Sequence, residues 1–344
     1  MSETDRSELD AGVTPDRIFE LASAYWASRT LLSAVDLGVF AALAEGPLPG
    51  ETLRARLGMH GRGADDFFDA LVALGMLDRD ADRYRNTAET GRYLVPGKQT
   101  YVGGMLEFHS AVIYPAWSTL TEALRTGQDQ RGISDEASQF QTAYEDPDVL
   151  VKVVTAMTGY SAGSAVALAN AFPWERYQTF CDLGTAQGVV PVQLALRHPH
   201  LRGVGFDLPP VRPIFEKYLA DYGVGARVEF VGGDFFTDPL PPAQVYVLGH
   251  VLHDWGLEAK RTLLRRVYEA LPADGAVIVY EMLIDDERRT NAAGLLMSLN
   301  MLLVSSDGFD YTGADCQGWM AEAGFRESSV QHLVGPESMV IGIK

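Results

Sequence analysis

The segment Gly249-His250-Val251-Leu252-His253-Asp254-Trp255 sets two imidazoles three positions apart, with a carboxylate beside the second. Histidine titrates closest to neutrality of all side chains, so such a pair suits proton transfer. Glu281 and Asp310, the latter in Gly308-Phe309-Asp310-Tyr311-Thr312, are carboxylates that could orient an imidazole. The ordinary alternative makes Asp254 the cap of the next helix, His253 a solvated loop residue, and the two acids caps or surface groups.

A second constellation is Asp182-Leu183-Gly184-Thr185-Ala186-Gln187-Gly188, which follows an apolar run. Small residues there let the backbone approach a ligand, and a helix N-terminus can receive its carboxylate. Asp207 closes the next apolar run, 23 residues after Gly184, near the spacing of about 20 at which an acid grips ribose hydroxyls. Together they point to a nucleoside. The turn reads G-x-x-x-G rather than G-x-G-x-x-G, which disfavours a nicotinamide dinucleotide. Gly233-Asp234-Phe235-Phe236 adds a carboxylate and a ring suited to adenine, although Asp234 could merely cap a turn and Phe235 fill core.

These residues need a scaffold, and the pattern after Tyr177 supplies one. Strands are expected at Gln178–Asp182, Gly203–Asp207, Arg227–Val231, Gln244–Gly249 and Ala276–Glu281, with helices from Val189 and over Glu258–Leu271 between them. This is a doubly wound parallel α/β sheet with its candidate residues at the strand ends, where such sheets bind ligands. Two last strands, Glu327–Leu333 and Ser338–Lys344, are separated only by Val334–Glu337, too short for a parallel crossover. The final strand must therefore run antiparallel, an ending that resembles, as a fold analogy only, the hairpin finish of class I methyltransferase sheets.

Before residue 150 the pattern is helical. Residues 50–59, 64–77 and 79–87 read as helix, helix and polar hairpin, the layout of a winged helix. Its second helix carries Asp65, Asp66 and Asp69, the wrong sign for phosphate contacts, so the module is expected to be structural or dimerising. Ile18, Leu21, Ala22, Tyr25 and Trp26 recur at helical spacing, and with the apolar Leu31–Leu43 stretch they are expected to form part of a subunit interface. The expected division is a disordered tail over 1–14, a helical winged-helix-like dimerisation domain over 15–150 and a ligand-binding α/β domain over 151–344.

The 344 residues carry a net charge of −18 and are 47% hydrophobic. A large core is available, and the acidic field repels nucleic acid and anionic membranes. The apolar stretches at 31–43 and 295–304 are interrupted or too short for a spanning helix, so no membrane partner is expected. The polar N-terminus resembles no signal peptide, which leaves the cytoplasm as the default location. Cys181 and Cys316 read as buried free thiols.

The motifs DLGTAQG, FDLPPV, GGDFF, HVLHDW and DYTGADCQGWMAEAGF, in that order, resemble the S-adenosylmethionine-dependent O-methyltransferases related to plant caffeic acid and acetylserotonin enzymes. The resemblance spans nearly the whole chain and implies an N-terminal dimerisation domain, a homodimer and S-adenosylmethionine as cofactor. It places His253 as catalytic base with Glu281 and Asp310 beside it, and Gly184, Asp207, Asp234 and Phe235 on the cofactor; Asp182, Leu208 and His250 are expected at the same cofactor site. The chain departs from the family in carrying Gly184-Thr185-Ala186 for a run of three glycines, and in lacking a lysine shortly before the histidine.

What this implies is methyl transfer to a hydroxyl of a small aromatic or polyketide-like metabolite. Between a phenol of pKa about 10 and a histidine of about 6.5, complete proton transfer before attack costs about 5 kcal/mol, so partial transfer during attack is easier. The acceptor pocket is expected to draw on His109, Met157, Tyr160, Met297, Asn300 and Met301, with Trp117, although such Met and aromatic stripes are often plain core. No metal is expected. The alternatives are C- or N-methylation, including a metal site of His250, His253 and Asp254 holding a keto acid, and a non-catalytic or DNA-binding regulator on the same fold.

Overall fold

The computed structural model describes residues 13–128 and 144–344. The expected tail over 1–14 lies, except for Val13 and Thr14, outside the described residues. Two compact units divide between Ser110 and Ala111, rather than near residue 150. The physical reason is packing. Ala116 and Ala123 bury themselves against Leu303, and the helix Pro147–Ala171 runs straight across position 150 with Leu150, Val154, Leu168 and Ala169 in the core of the second unit. The shift in pattern near 150 marks a change of element type, not of core.

In the N-terminal unit, helices Gly50–Arg56 and Ala64–Ala73 pack with strands β1 (Leu48–Pro49), β2 (Leu77–Asp80) and β3 (Arg83–Asn86). The sheet is antiparallel, in the order β1-β3-β2, so the winged-helix layout is present. Its core holds Phe40, Leu53, Phe68, Leu71 and Tyr84. Asp69 accepts the Tyr84 hydroxyl at 2.7 Å and pairs with Arg79, while Asp65 and Asp66 stay exposed. The apolar excess before residue 45 divides in two: Leu32, Ala34, Val39, Phe40 and Leu43 are buried within the unit, whereas the helix Asp16–Ser23 buries nothing and leaves Ile18, Phe19 and Leu21 exposed.

The C-terminal unit is built on seven strands: β4 (Thr179–Leu183), β5 (Arg202–Asp207), β6 (Val228–Gly232), β7 (Val245–Gly249), β8 (Ala276–Glu281), β9 (Glu327–Val334) and β10 (Glu337–Ile343). Their order is β6-β5-β4-β7-β8-β10-β9. The first five are parallel, and β10 inserts between β8 and β9 antiparallel to both, as the short Val334–Glu337 link requires. Successive strand residues alternate between two core layers. Phe180, Val245, Val247 and Ile278 face one, and Cys181, Leu183, Tyr246, Val277 and Val279 the other. Both cysteines are buried free thiols. The helix Pro147–Ala171 is long and apolar enough to cross a bilayer by length and composition; in this unit its buried residues belong to the core.

Candidate active site

The C-terminal ends of the five parallel strands all contribute. After β4, Gly184, Ala186 and Gly188 all take left-handed backbone angles, with φ of 73°, 48° and 93°. At Gly184 a Cβ would come within 2.8 Å of Val251, so glycine serves both the turn and the close approach. Ala186 bears the strain of a left-handed non-glycine residue and is held there by its N–H, which donates to Asp207 Oδ2 at 2.8 Å. Asp207 Oδ1 accepts the Leu208 N–H at 2.7 Å. Asp182 accepts the Thr185 hydroxyl at 2.7 Å. Burial raises both acids, Asp182 to about 7 and Asp207 to about 6.

These turns surround a cavity of about 640 Å³, a size that suits a small-molecule cofactor. Its lining includes Asp182, Gly184, Asp207, Leu208, Asp234, Phe235 and His250, the whole set that the motifs assign to one ligand. Asp234 also serves its own turn, accepting the Phe236 N–H at 2.8 Å. Phe235 meets Trp255 edge to face at 5.7 Å.

Beside the cavity lies a buried imidazole and carboxylate cluster. His253, 6% exposed, directs Nδ1 at Asp310 Oδ1, 3.2 Å away, and has Glu281 Oε2 at 3.6 Å. His250 places its own Nδ1 3.6 Å from the same Glu281 oxygen and its Nε2 3.3 Å from Glu337 Oε1. The other Glu281 oxygen accepts the His253 backbone N–H at 3.3 Å and the Tyr311 hydroxyl at 3.4 Å. Burial alone would lower the imidazoles, but the surrounding acids outweigh it. Glu281, Asp310 and Asp254 push His253 up to about 9, and Glu281 and Glu337 push His250 up to about 10. Against its own burial, Glu281 is held below the usual carboxylate range by the two histidines. Burial raises Asp310 despite the imidazole beside it.

Local structure explains how acids distant in sequence arrive here. Thr312 forms a reciprocal capping box with Asp315 at the start of helix Gly313–Ala323. The Ile284 N–H donates to Tyr311 O at 2.9 Å, which seats Asp310 next to the end of β8 and Glu281. Gly308 allows the same segment to close on the histidine turn, since a Cβ there would lie 2.6 Å from His253 O. Asp254 does not cap the following helix, whose N-cap is Gly256. It lines the cavity, with Oδ1 3.7 Å from His253 Nε2, and burial raises it to about 6. Among the described residues, the donor atoms that come within 4.8 Å of one another belong to His250, His253 and Glu281, so the carboxylate of a metal set here would be Glu281 rather than Asp254.

The expected acceptor residues are less concentrated. Met157 lines the cavity. Tyr160 stands with its ring 6.4 Å from that of His250. Met297, Asn300 and Met301 lie on helix Ala292–Val304, where Asn300 Oδ1 accepts the Trp117 indole N–H at 3.1 Å. The same helix reaches the Asp310 backbone, whose N–H donates to Ser298 Oγ at 3.3 Å. Tyr160, Met297, Asn300 and Met301 are not among the residues that line the cavity. His109 belongs to the N-terminal unit. Sequence reasoning missed Glu337, which Ser164 and His250 engage, the cavity-lining Tyr144 and Tyr280, and Lys260, which is buried completely.

Comparison with known proteins follows the same division. Residues 117–326 match an O-methyltransferase domain, and residues 19–96 match an O-methyltransferase dimerisation domain. The chain is 44% identical to the tetracenomycin polyketide synthesis 8-O-methyl transferase TcmO of Streptomyces glaucescens, over 96% of this chain and 97% of that one. It is 38% identical to the N,N-dimethyltransferase OxyT of Streptomyces rimosus, over 95% and 96%. The crystal structure of human N-acetylserotonin methyltransferase in complex with S-adenosylmethionine superposes with a TM-score of 0.88 at 28% identity, over 97% and 99%. With both domain matches and relatives aligned along nearly its whole length, the chain belongs to the S-adenosylmethionine-dependent O-methyltransferase family.

Proposed function

We propose that this protein methylates a hydroxyl of a small aromatic or polyketide-like metabolite, with His253 as general base and S-adenosylmethionine as methyl donor. The observation that carries the reading is the buried His253, braced through Nδ1 by Asp310 at 3.2 Å and linked through Asp254 to a cavity lined by Asp182, Gly184 and Asp207. When bound, the cofactor supplies an electrophilic methyl group on a sulfonium.

The residues of this chain do the rest. Asp207 offers a carboxylate to the ribose hydroxyls, the left-handed turn at 184–188 lets the backbone come close, and Phe235 offers a ring to the adenine. In its neutral form His253 keeps its proton on Nδ1, facing Asp310, and takes the hydroxyl proton on Nε2. A base of pKa about 9 facing a phenol of about 10 narrows the cost of complete proton transfer to roughly 1 kcal/mol, against about 5 for an ordinary imidazole. The gain is accompanied by a charged resting imidazole at neutral pH. The acceptor class is supported by the likeness to TcmO, and the homodimer by the matched dimerisation domain and the exposed apolar helix Asp16–Ser23.

Likeness to OxyT favours a second reading, an amine acceptor. Incubation of a pool of hydroxylated aromatics, amines and keto acids with labelled cofactor, followed by mass detection of methylated products, separates the two. Products carrying the label on oxygen are expected; label found only on nitrogen or carbon would overturn the proposal.

A further inference from the structure

Lys260 occupies the buried stripe of helix Leu257–Ala270, sharing it with Leu263, Leu264 and Val267. It is 0% exposed. Removing an ammonium from water is costly, and an apolar residue would fill that stripe without the cost. Burial brings Lys260 down to about 8.

What receives this cation is specific. Lys260 Nζ donates to the carbonyl oxygen of Trp255 and to that of Phe309 at 2.9 Å. It also stands 3.8 Å from the centroid of the Phe309 ring and 5.4 Å from that of Tyr311. Trp255 follows His253 by two positions, and Phe309 immediately precedes Asp310. A single ammonium therefore joins the backbones of the two segments that carry the imidazole and its acid partner. The charged groups that influence it are Glu281, Asp310, Asp254 and Asp307, so it also offsets part of the negative field there. Lys260 is not itself among the residues that line the cavity, although its partner Trp255 is.

We propose that Lys260 is a positioning residue that holds the Trp255 and Phe309 backbones at the separation which seats His253 Nδ1 against Asp310. The proposal rests on the reading of His253 as base. Small misplacements of a catalytic group cost about 100-fold in rate when they reach 1 Å.

The test compares the parent dimer with Lys260→Met, which keeps the length and loses the charge and donors. Lys260→Gln, neutral but still a donor, is the second variant. The direct readout is the downfield proton resonance of the His253 Nδ1–H, assigned by its loss in His253→Gln. It needs no methyl acceptor. In Lys260→Met that resonance is expected to broaden or vanish and kcat on the acceptor found by the screen to fall about 10- to 100-fold. KM for S-adenosylmethionine and calorimetric affinity for S-adenosylhomocysteine should stay within about twofold, with Lys260→Gln intermediate in kcat. An unchanged resonance and kcat in Lys260→Met would overturn the proposal. So would failure of both variants to fold, which would make Lys260 a folding residue only. Full activity of His253→Gln would instead remove the base assignment and leave the resonance comparison for Lys260 standing.

Discussion

His253 and Asp310 are separated by 57 positions, yet Nδ1 of the first lies 3.2 Å from Oδ1 of the second, and both side chains are buried. That contact turns Nδ1 toward the acid and leaves Nε2 on the other side of the ring, 3.7 Å from Asp254 Oδ1; in the proposed reaction the neutral ring keeps its proton on Nδ1 and exchanges one with the acceptor through Nε2.

His253→Gln is expected to lower the methyl-transfer rate by roughly 10²–10⁴ with cofactor affinity nearly unchanged, because the base acts only in the transition state. Exhaustive chelation of the parent is expected to leave its rate unaltered. Loss of activity on chelation, recovered by Fe²⁺ or Zn²⁺, would show instead that His250, His253 and Glu281 act as ligands.

The rate should rise with pH. With its pKa raised to about 9 by the acids around it, His253 is charged at neutrality, so kcat/KM is expected to climb through pH 7–8 and level off above about 9. Asp310→Asn removes one of those acids and should move the midpoint down. A parent midpoint near 6.5 would contradict the cluster electrostatics. Folding is linked with the matching sign: raised pKa values at His253 and His250 contribute stability that is fully present below about 6.5 and is lost as pH rises through about 9 to 10. Thermal unfolding of the cofactor-free protein between pH 7 and 10 should show that decline.

Asp207→Ala is expected to weaken S-adenosylhomocysteine by about 1.5–3 kcal/mol, the range for loss of charged hydrogen bonds, measured by titration calorimetry. The carboxylate also receives the Ala186 and Leu208 N–H groups, so circular dichroism should accompany the measurement. Unchanged affinity in a folded variant would exclude the ribose role.

Gly308→Ala introduces a methyl 2.6 Å from His253 O and 2.4 Å from Ser305 Oγ. Overpacking of this kind costs about 1–3 kcal/mol. The variant is expected to melt earlier and to lose turnover more than cofactor affinity, because the displaced segment carries Asp310. Wild-type melting and turnover would refute the close approach.

Leu21 and Trp26 are 79% and 64% exposed in the isolated chain. Light scattering at micromolar concentration is expected to give a dimer for the parent and a monomer for Leu21→Glu combined with Trp26→Glu, since buried charges oppose an apolar interface. A monomeric parent would refute the homodimer.

Several features were legible in the chain itself because they are local or limited by length. The link between Val334 and Glu337 is too short for a crossover, and β10 accordingly enters antiparallel beside β8. The strand ends that carry Gly184, Asp207, Asp234 and His250 follow from the alternation of apolar runs and turns, and all four residues border one cavity. The three-dimensional structure decided what depends on distances between segments. Sequence adjacency put Asp254 next to His253 and the motifs named Glu281 and Asp310 as acids that could orient it, but the distances that set Glu281 between both histidines and Asp310 on Nδ1 exist only after folding. The unit boundary at Ser110 was hidden because a helix pattern reports which face is apolar, not which core receives it. Lys260 shows the same limit from the other side: it stands at the stripe position three before Leu263, where periodicity alone would place it inside. A charged residue is ordinarily read as solvated, and the carbonyls of Trp255 and Phe309, with the Phe309 and Tyr311 rings and the nearby acids, make its burial tolerable only once folding brings them together.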